Sequence, residues 1–364
     1  MCRFLCGARS IFTSLLLLPA ALTVNGQTVF PEQLNYVSHR TGDSITIDGR
    51  ASETAWQKAP WSEVFGDIEG SKKPRPTYQT RVKMLWNDDY LFIFAELEEP
   101  HIQASLRKRD TIIYHDNDFE VFIDPNGDTH QYYEIEVNAY NTILDLFMGK
   151  PYRNGGPAMI TWNARGLKSA VHHYGTINKP GDNDTAWTVE MAIPFSALGF
   201  YNWNLRPQEN TRWRINFSRV QWDWDVVNGS YVKRKGKNGR PLPEHNWVWS
   251  PQGIVDMHAP ERWGNLWFRA QDNSNVAAPL PEDEKARRLL WEVYYKQQQY
   301  RRQKGKYATS LQALSLPNIV NGGGGKQFDI EMEAISRQFT ARVELHNSQL
   351  TWSIDQEGRI TNDK

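Results

Sequence analysis

Apolar and polar residues alternate in short runs from Ser44 to Phe268, and the runs stop at turn residues. "SITIDG" ends on Asp48-Gly49, a turn dipeptide. "TRVKMLW" and "YLFIFAELEE" flank Asn87-Asp88-Asp89, and "DFEVFID" and "HQYYEIEVNAY" flank "PNGDT" as a hairpin. "AWTVEMAIP" and "RWRINFSRV" are two further clear strands. No helical period sustains itself before residue 280. Many short strands separated by turns predict a mainly β fold, an antiparallel β-sandwich of jelly-roll or immunoglobulin-like kind.

Beyond residue 280 the period changes. Ala286, Leu289, Leu290, Val293, Tyr294 and Gln297 recur at three- and four-residue steps, which predicts an amphipathic helix starting near Pro281-Glu282 and ending at Gly305. Three alternating runs follow, at Phe328–Ala334, Phe339–Leu345 and Leu350–Ile354. A helix and a three-stranded meander make a small α+β unit, with the helix on one sheet face. The stretch 271–281 is polar, contains Pro279 and Pro281, and reads as a linker that few contacts cross. The expected order is therefore a leader over 1–26, a sandwich over 40–270, the linker, and an α+β unit over 282–364.

The leader rests on Arg3 and Arg9 ahead of the apolar run Ile11–Val24, which Pro19 interrupts. That run is short for a membrane span and suits a signal peptide cleaved between Ala21 and Gln27. A secreted, periplasmic or cell-surface location follows. Both cysteines, Cys2 and Cys6, precede the apolar run, so the mature chain is expected to fold without disulfides. The 42 basic and 42 acidic residues cancel, which removes the electrostatic footprint of a nucleic-acid or anionic-membrane binder. Aromatic residues are abundant: 15 Trp, 15 Tyr and 15 Phe. Trp is too bulky to be wholly buried everywhere, so some rings should reach the surface.

The segments "ITIDGRASETAWQKAP", "VKMLWNDDYLFIFAELEEP", "DNDFEVFIDP", "YYEIEVNAYNTILD", "WTVEMAIPFSALG" and "WRINFSRV" together resemble family 9 carbohydrate-binding modules and their secreted relatives. "WVWSPQGIVDMHAPERWGNLWF" is similar to the closing segment of longer extracellular members. The likeness runs in order over roughly residues 40–270. It implies a β-sandwich, sugar binding through aromatic rings, a place in carbohydrate catabolism, and structural Ca2+ in some members. Because members accompany glycoside hydrolases, it also implies an association with glycan breakdown, while this chain carries no hydrolase domain.

Within the hairpin, Asp118, Glu120, Phe122 and Asp124 share one strand face, and Glu134, Glu136 and Asn138 share the corresponding face of the next strand. Matching polar to polar predicts Glu120 opposite Glu134 and Asp118 opposite Glu136, around the turn 125–129. Like charges directly opposite repel, so a cation is expected there. Either an Arg or Lys from a neighbouring strand supplies it, or Ca2+ does, with Asp118, Glu120, Glu134 and Glu136 as candidate ligands.

Sugar rings present C–H faces that stack on flat indoles. The candidate carbohydrate-binding residues are Trp222 and Trp224 in "QWDWD" and Trp162 in "ITWNARG", beside Asn163 and Arg165. Trp56, Trp187, Trp213 and Trp267 lie within strand patterns and read as core. Lys233, Arg234, Lys235, Lys237 and Arg240 read as a solvated hairpin tip, the alternative being a contact for acidic glycans.

No Gly-x-Ser-x-Gly elbow, His-Glu-x-x-His or phosphate loop occurs, so no catalytic residue is assigned. The expectation is a binding module whose partner is an oligosaccharide or polysaccharide, without nucleic acid and without a membrane span. The C-terminal unit is expected to attach to a cell-surface protein. Two rivals stand: a glycoside hydrolase using the carboxylates, and a haem-carrying electron-transfer sandwich drawing on Met84, Met148, Met159 and Met191.

Overall fold

The computed structural model describes residues 30–199, 205–270, 275–277, 279, 281, 283–323, 326–345 and 350–363. The expected signal peptide, Cys2 and Cys6 lie outside the described residues, as do parts of the linker. The sandwich strands are β1 (Asn35–Arg40), β2 (Gly66–Asp67), β3 (Thr80–Trp86), β4 (Tyr90–Glu98), β5 (Asp118–Asp124), β6 (Tyr132–Asn138), β7 (Ile143–Met148) and β8 (Ala158–Met159). They continue with β9 (Lys168–Tyr174), β10 (Ala186–Pro194), β11 (Arg212–Gln221), β12 (Trp224–Val227), β13 (Ser230–Lys233), β14 (His245–Val248) and β15 (Gly264–Arg269). The short helix α1 (Thr54–Lys58) follows β1, and α2 (Asp283–Lys304) follows β15.

Thirteen of these strands form one curled sheet in the order β8-β7-β6-β5-β11-β15-β1-β3-β4-β10-β9, with β14 on β11 and β2 on β14. The expected sandwich is present, with one refinement. The sheet is mixed, because β1 runs parallel to both β15 and β3. The alternation explains the closure. Val82, Met84, Leu91, Ile93, Val189 and Met191 from one half meet Phe119, Val121, Ile123, Ile135, Val137 and Phe217 from the other in a single core. Trp56, Trp187, Trp213 and Trp267 are all buried as expected, although Trp56 lies in the helix α1 and not in a strand. The outer face of the β3-β4-β10 half is covered by α1 through Trp56, Leu85, Phe92 and Phe94.

The hairpin β5-β6 has the expected faces and a different register. Glu120 stands opposite Glu136, Asp118 opposite Asn138, and Phe122 opposite Glu134. The physical reason is the turn. The Asp124 carboxylate accepts hydrogen bonds from the amides of Gly127 and Thr129, each at 2.9 Å, and left-handed backbone at Gly127, Thr129 and Gln131 widens the loop. A shift of two residues keeps every side chain on its own face, so the alternation alone does not detect it.

In the C-terminal unit α2 lies on a meander of five strands: β16 (Ile319–Gly323), β17 (Lys326–Ala334), β18 (Phe339–Leu345), β19 (Leu350–Asp355) and β20 (Ile360–Asp363). Three of them fall on the three alternating runs, and two edge strands are added. Leu290, Val293 and Tyr294 of α2 pack with Phe328, Phe339, Val343 and Ile354. Among the described residues no helix is long and apolar enough to cross a membrane.

The linker composition predicts few contacts between the two units, and the structure corrects this. Glu284, buried at the start of α2, pairs with Arg214 at 2.7 Å and Arg212 at 2.9 Å from β11. Arg287 donates to the Gly127 carbonyl, and Lys150 pairs with Glu357 at 2.9 Å. Asn154 donates to the Glu357 carbonyl and accepts from the Tyr294 hydroxyl, and Arg153 lies over the Trp291 ring. Tyr295 bonds both Glu261 and Arg262. A polar linker reports only its own solvation. The residues that dock the units are scattered over β11, three loops and α2.

Burial alone would raise the Glu284 carboxyl, but Arg214, Arg287 and Arg212 outweigh it and hold the group well below the usual range. A depressed carboxyl contributes stability that is full above the unfolded value of about 4.3 and is lost on acidification. Glu284→Ala leaves buried arginines without their partner and should cost about 3–5 kcal/mol in urea unfolding at pH 7, with a weaker acid limb. A loss below about 1 kcal/mol, typical of exposed pairs, would show that this cluster does not hold the units together.

Candidate functional site

The outer face of the β5-β6-β7-β11 half is open, and a cavity of about 300 Å³ sits on it. Its floor is Glu120, Phe122, Glu134, Glu136, Leu144, Leu146 and Val220, which are the outward positions of the four strands. Its walls are Ile112 and Tyr114 ahead of β5, Tyr152 in the turn after β7, Ala158 and Ile160 beside β8, and the loop 255–258. The volume lies at the lower end of ligand pockets. Fourteen large hydrophobic residues are exposed among those described, and five of them, Ile112, Tyr114, Tyr152, Ile160 and Val255, rim this one cavity. Clustering of that kind marks a binding surface.

Under the rim the acids are buried. Asp118, Glu120 and Glu136 offer carboxylate oxygens that all lie within 4.8 Å of one another. Asp118 accepts from the Val220 amide through one oxygen, while its other oxygen and one oxygen of Glu136 have no partner. The expected Arg or Lys is absent from the described ion pairs. The closest approach is His258 Nε2, 3.7 Å from Glu134. Burial, and then Arg153, lower the His258 ring to about 4, so it is neutral near pH 7 and supplies no charge. The Tyr132 hydroxyl meets His258 Nδ1 at 2.9 Å and fixes the ring, which the Tyr152 ring covers edge-on at 4.3 Å.

Burial raises all four carboxyls. Glu120 reaches about 7, and Asp118, Glu134 and Glu136 are pushed well above their ordinary values by burial and then by their acidic neighbours. Contact with Glu136 further favours the proton on Glu134. Three adjacent acids, two of them with an orphaned oxygen, have the donor chemistry of a hard-cation site, so the residues fit Ca2+ as far as they go. Ca2+ takes six to eight oxygens, and Phe122, Leu144, Leu146 and Val220 beside the acids offer none from their side chains.

None of Trp162, Asn163, Arg165, Trp222 and Trp224 lines this cavity. Trp162 packs on Tyr133 at 5.0 Å, against the sandwich core. Asn163 and Arg165 are exposed, and Asn163 accepts from Arg109 at 3.3 Å. Trp222 is buried, with the Lys233 ammonium 3.1 Å from its ring centre and its indole N–H on the Tyr114 carbonyl at 2.8 Å. Trp224 is half-buried and reaches Asn117 at 3.3 Å. Trp222 thus holds the segment that presents Tyr114. Tyr114 and Tyr152 were missed because each sits in an irregular segment, where alternation carries no signal. Of the basic loop, Lys233 is drawn onto Trp222, and Arg234 pairs with Asp225 at 2.9 Å.

An aromatic-rimmed pocket on the outer face of a β-sandwich defines the chain's class, a sandwich binding domain. Residues 47–226 match the model of the carbohydrate family 9 binding domain-like family, and over this stretch the chain is family 9-like. Among curated proteins it is 29% identical over 156 residues to Exoglucanase XynX of Acetivibrio thermocellus, covering 43% of this chain and 12% of the relative. It is 29% identical over 116 residues to Endo-1,4-beta-xylanase A of Thermoanaerobacterium saccharolyticum, covering 32% and 8%. The chain therefore spans only a small part of either relative. A family 9 module from Caldicellulosiruptor kristjanssonii in complex with cellotriose aligns at 14% identity and TM-score 0.41, covering 68% of this chain and all of that one. The family match supports carbohydrate binding as the class of function.

A raised carboxyl means that the folded state holds protons the unfolded state releases. Stability should therefore fall as pH rises from about 4.3 towards the raised folded values, about 7 for Glu120. The melting temperature should drop between pH 5 and pH 8. Glu136→Gln should flatten that drop and raise the pH 8 value by roughly 2–4 °C for each kcal/mol of repulsion relieved. An unchanged slope would mean that a cation already neutralises the cluster in solution.

Proposed function

We propose that the chain is an exported protein that binds oligosaccharide or polysaccharide in this pocket and serves carbohydrate catabolism by holding glycan rather than cleaving it. The observation that carries the reading is the combination of exposed Tyr114 and Tyr152 rings with buried, partner-short acids between them. A sugar needs both: rings for its C–H face and acceptors for its hydroxyls. Hydroxyl hydrogen bonds largely exchange with water, so the rings are expected to supply most of the affinity.

The acids are poorly arranged for hydrolysis. Their oxygens lie within 4.8 Å, closer than the about 6.5–9.5 Å of inverting pairs and near the about 5–5.5 Å of retaining ones, but they project from one sheet face rather than flanking a bond from two sides. A second reading, Ca2+ held by Asp118, Glu120 and Glu136, is favoured by the two orphaned oxygens.

Calorimetric titration with cellotriose and xylotriose tests the site. Tyr114→Ala and Tyr152→Ala should each weaken binding about tenfold or more, roughly 1.4 kcal/mol. Trp222→Ala should lower both affinity and stability, the latter by about 3–5 kcal/mol. Trp162→Ala should leave affinity unchanged. Full affinity after both tyrosine substitutions would remove the pocket from consideration.

A further inference from the structure

The pocket floor is short of positive charge in a way that a neutral sugar does not repair. Asp118 Oδ2 and Glu136 Oε2 are buried without a partner, and Glu136 lines the cavity. The acids facing the space or packed under it are Asp118, Glu120, Glu134, Glu136, Glu244 and Asp256. Arg153 and Arg262 act on Asp256, and Lys233, held on the Trp222 ring, acts on Glu244, while beside Asp118, Glu120, Glu134 and Glu136 the nitrogen base is neutral His258. A neutral sugar leaves these acids holding protons, because burying like charges without a countercharge is costly, whereas a cation lets them ionise and pair.

We propose that Asp118, Glu120 and Glu136 form an ammonium subsite, and that the saccharide this chain selects carries a free amine, as in a 2-amino-2-deoxy sugar. The inference rests on the glycan reading of the same pocket. An ammonium group brings three N–H donors for three carboxyl groups that converge within 4.8 Å, and one positive charge that lets one of them ionise while the others keep their protons. Ca2+ would need six to eight oxygens, and so would have to draw on Glu134 besides these three, whereas Phe122, Leu144, Leu146 and Val220 provide none from their side chains. The Tyr114 and Tyr152 rims add a second preference for a cation, because their ring faces are negative. An acidic sugar meets the same carboxylates and is repelled, so the pocket discriminates by charge as well as by shape.

The test is titration calorimetry of the full chain at pH 7 with β-1,4-linked triglucosamine, its tri-N-acetyl form, cellotriose and trigalacturonate. Triglucosamine should bind at least tenfold more tightly than the N-acetylated and cellulose trimers, and trigalacturonate should not bind. Glu136→Gln and Glu120→Gln, each shown folded by its thermal melt, should reduce the preference for the amine about tenfold. Equal binding of triglucosamine and cellotriose, both weakened by Tyr152→Ala, would overturn the ammonium subsite and leave the glycan site standing. Absence of binding by all four trimers would overturn the glycan reading and the subsite with it. Heat from CaCl2 alone that Glu136→Gln abolishes, with no amine preference, would assign the cluster to a metal ion.

Discussion

The burial of carboxylates on the outer face of β5 and β6 is the constraint around which the molecule is organised. Those strands have to place Phe119, Val121, Ile123, Ile135 and Val137 in the sandwich core, so strict alternation sends Asp118, Glu120, Glu134 and Glu136 the other way. On an open sheet face those acids would be solvated and harmless. Here the segments carrying Tyr114, Tyr152 and His258 rise around them, and the acids become buried without a countercharge. Such an arrangement destabilises the folded state at neutral pH, and a binding site is where a fold tolerates that cost.

The walls of the pocket depend on the C-terminal unit, although that unit lies wholly outside the family match. Tyr152 sits in a turn whose neighbours Lys150, Arg153 and Asn154 are held by Glu357, Trp291 and Tyr294. The loop bearing His258 is held at its far end, where Glu261 and Arg262 bond Tyr295. Two of the groups that shape the cavity therefore rest on α2 and on the turn before β20. A helix and meander that touch no ligand still fix the rotamers and turn geometry on which a stacked ring depends.

Much of the fold was legible in the chain. Most alternating runs became strands, although "SITIDG" did not, the helix fell on the three- and four-residue period, and the tryptophans read as core are buried, Trp56 from a helix. The faces of the acidic hairpin were legible too, because period two is independent of register. The register itself depended on Asp124 capping its own loop, a tertiary detail that polar matching does not contain. That no Arg or Lys pairs with these acids among the described residues was invisible for a related reason: which strands flank β5 and β6 is a property of topology. Trp162 and Trp222 do not line this pocket because indole area serves packing as well as stacking, and both rings have packing partners. The docking of the two units was hidden by a linker whose composition is silent about arginines far away in sequence.

The zero net charge of the whole chain conceals a segregation that bears directly on recognition. Arg153, Arg212, Arg214, Arg262 and Arg287 gather where the two units meet, and each is engaged there by a carboxylate, a carbonyl or a ring. Acids remain in excess on the outer face of the β5-β6-β7-β11 half. A neutral balance argues against long-range attraction to a polyanion, and a lining that carries acids and a neutral His258 adds no attraction of its own. The basic loop after β12 does not reverse it: Lys233 lies on Trp222 and Arg234 is paired with Asp225. The proposed selectivity against acidic glycans rests on where the acids sit, and charge effects at the exposed rim are screened by salt far more than those at the buried floor.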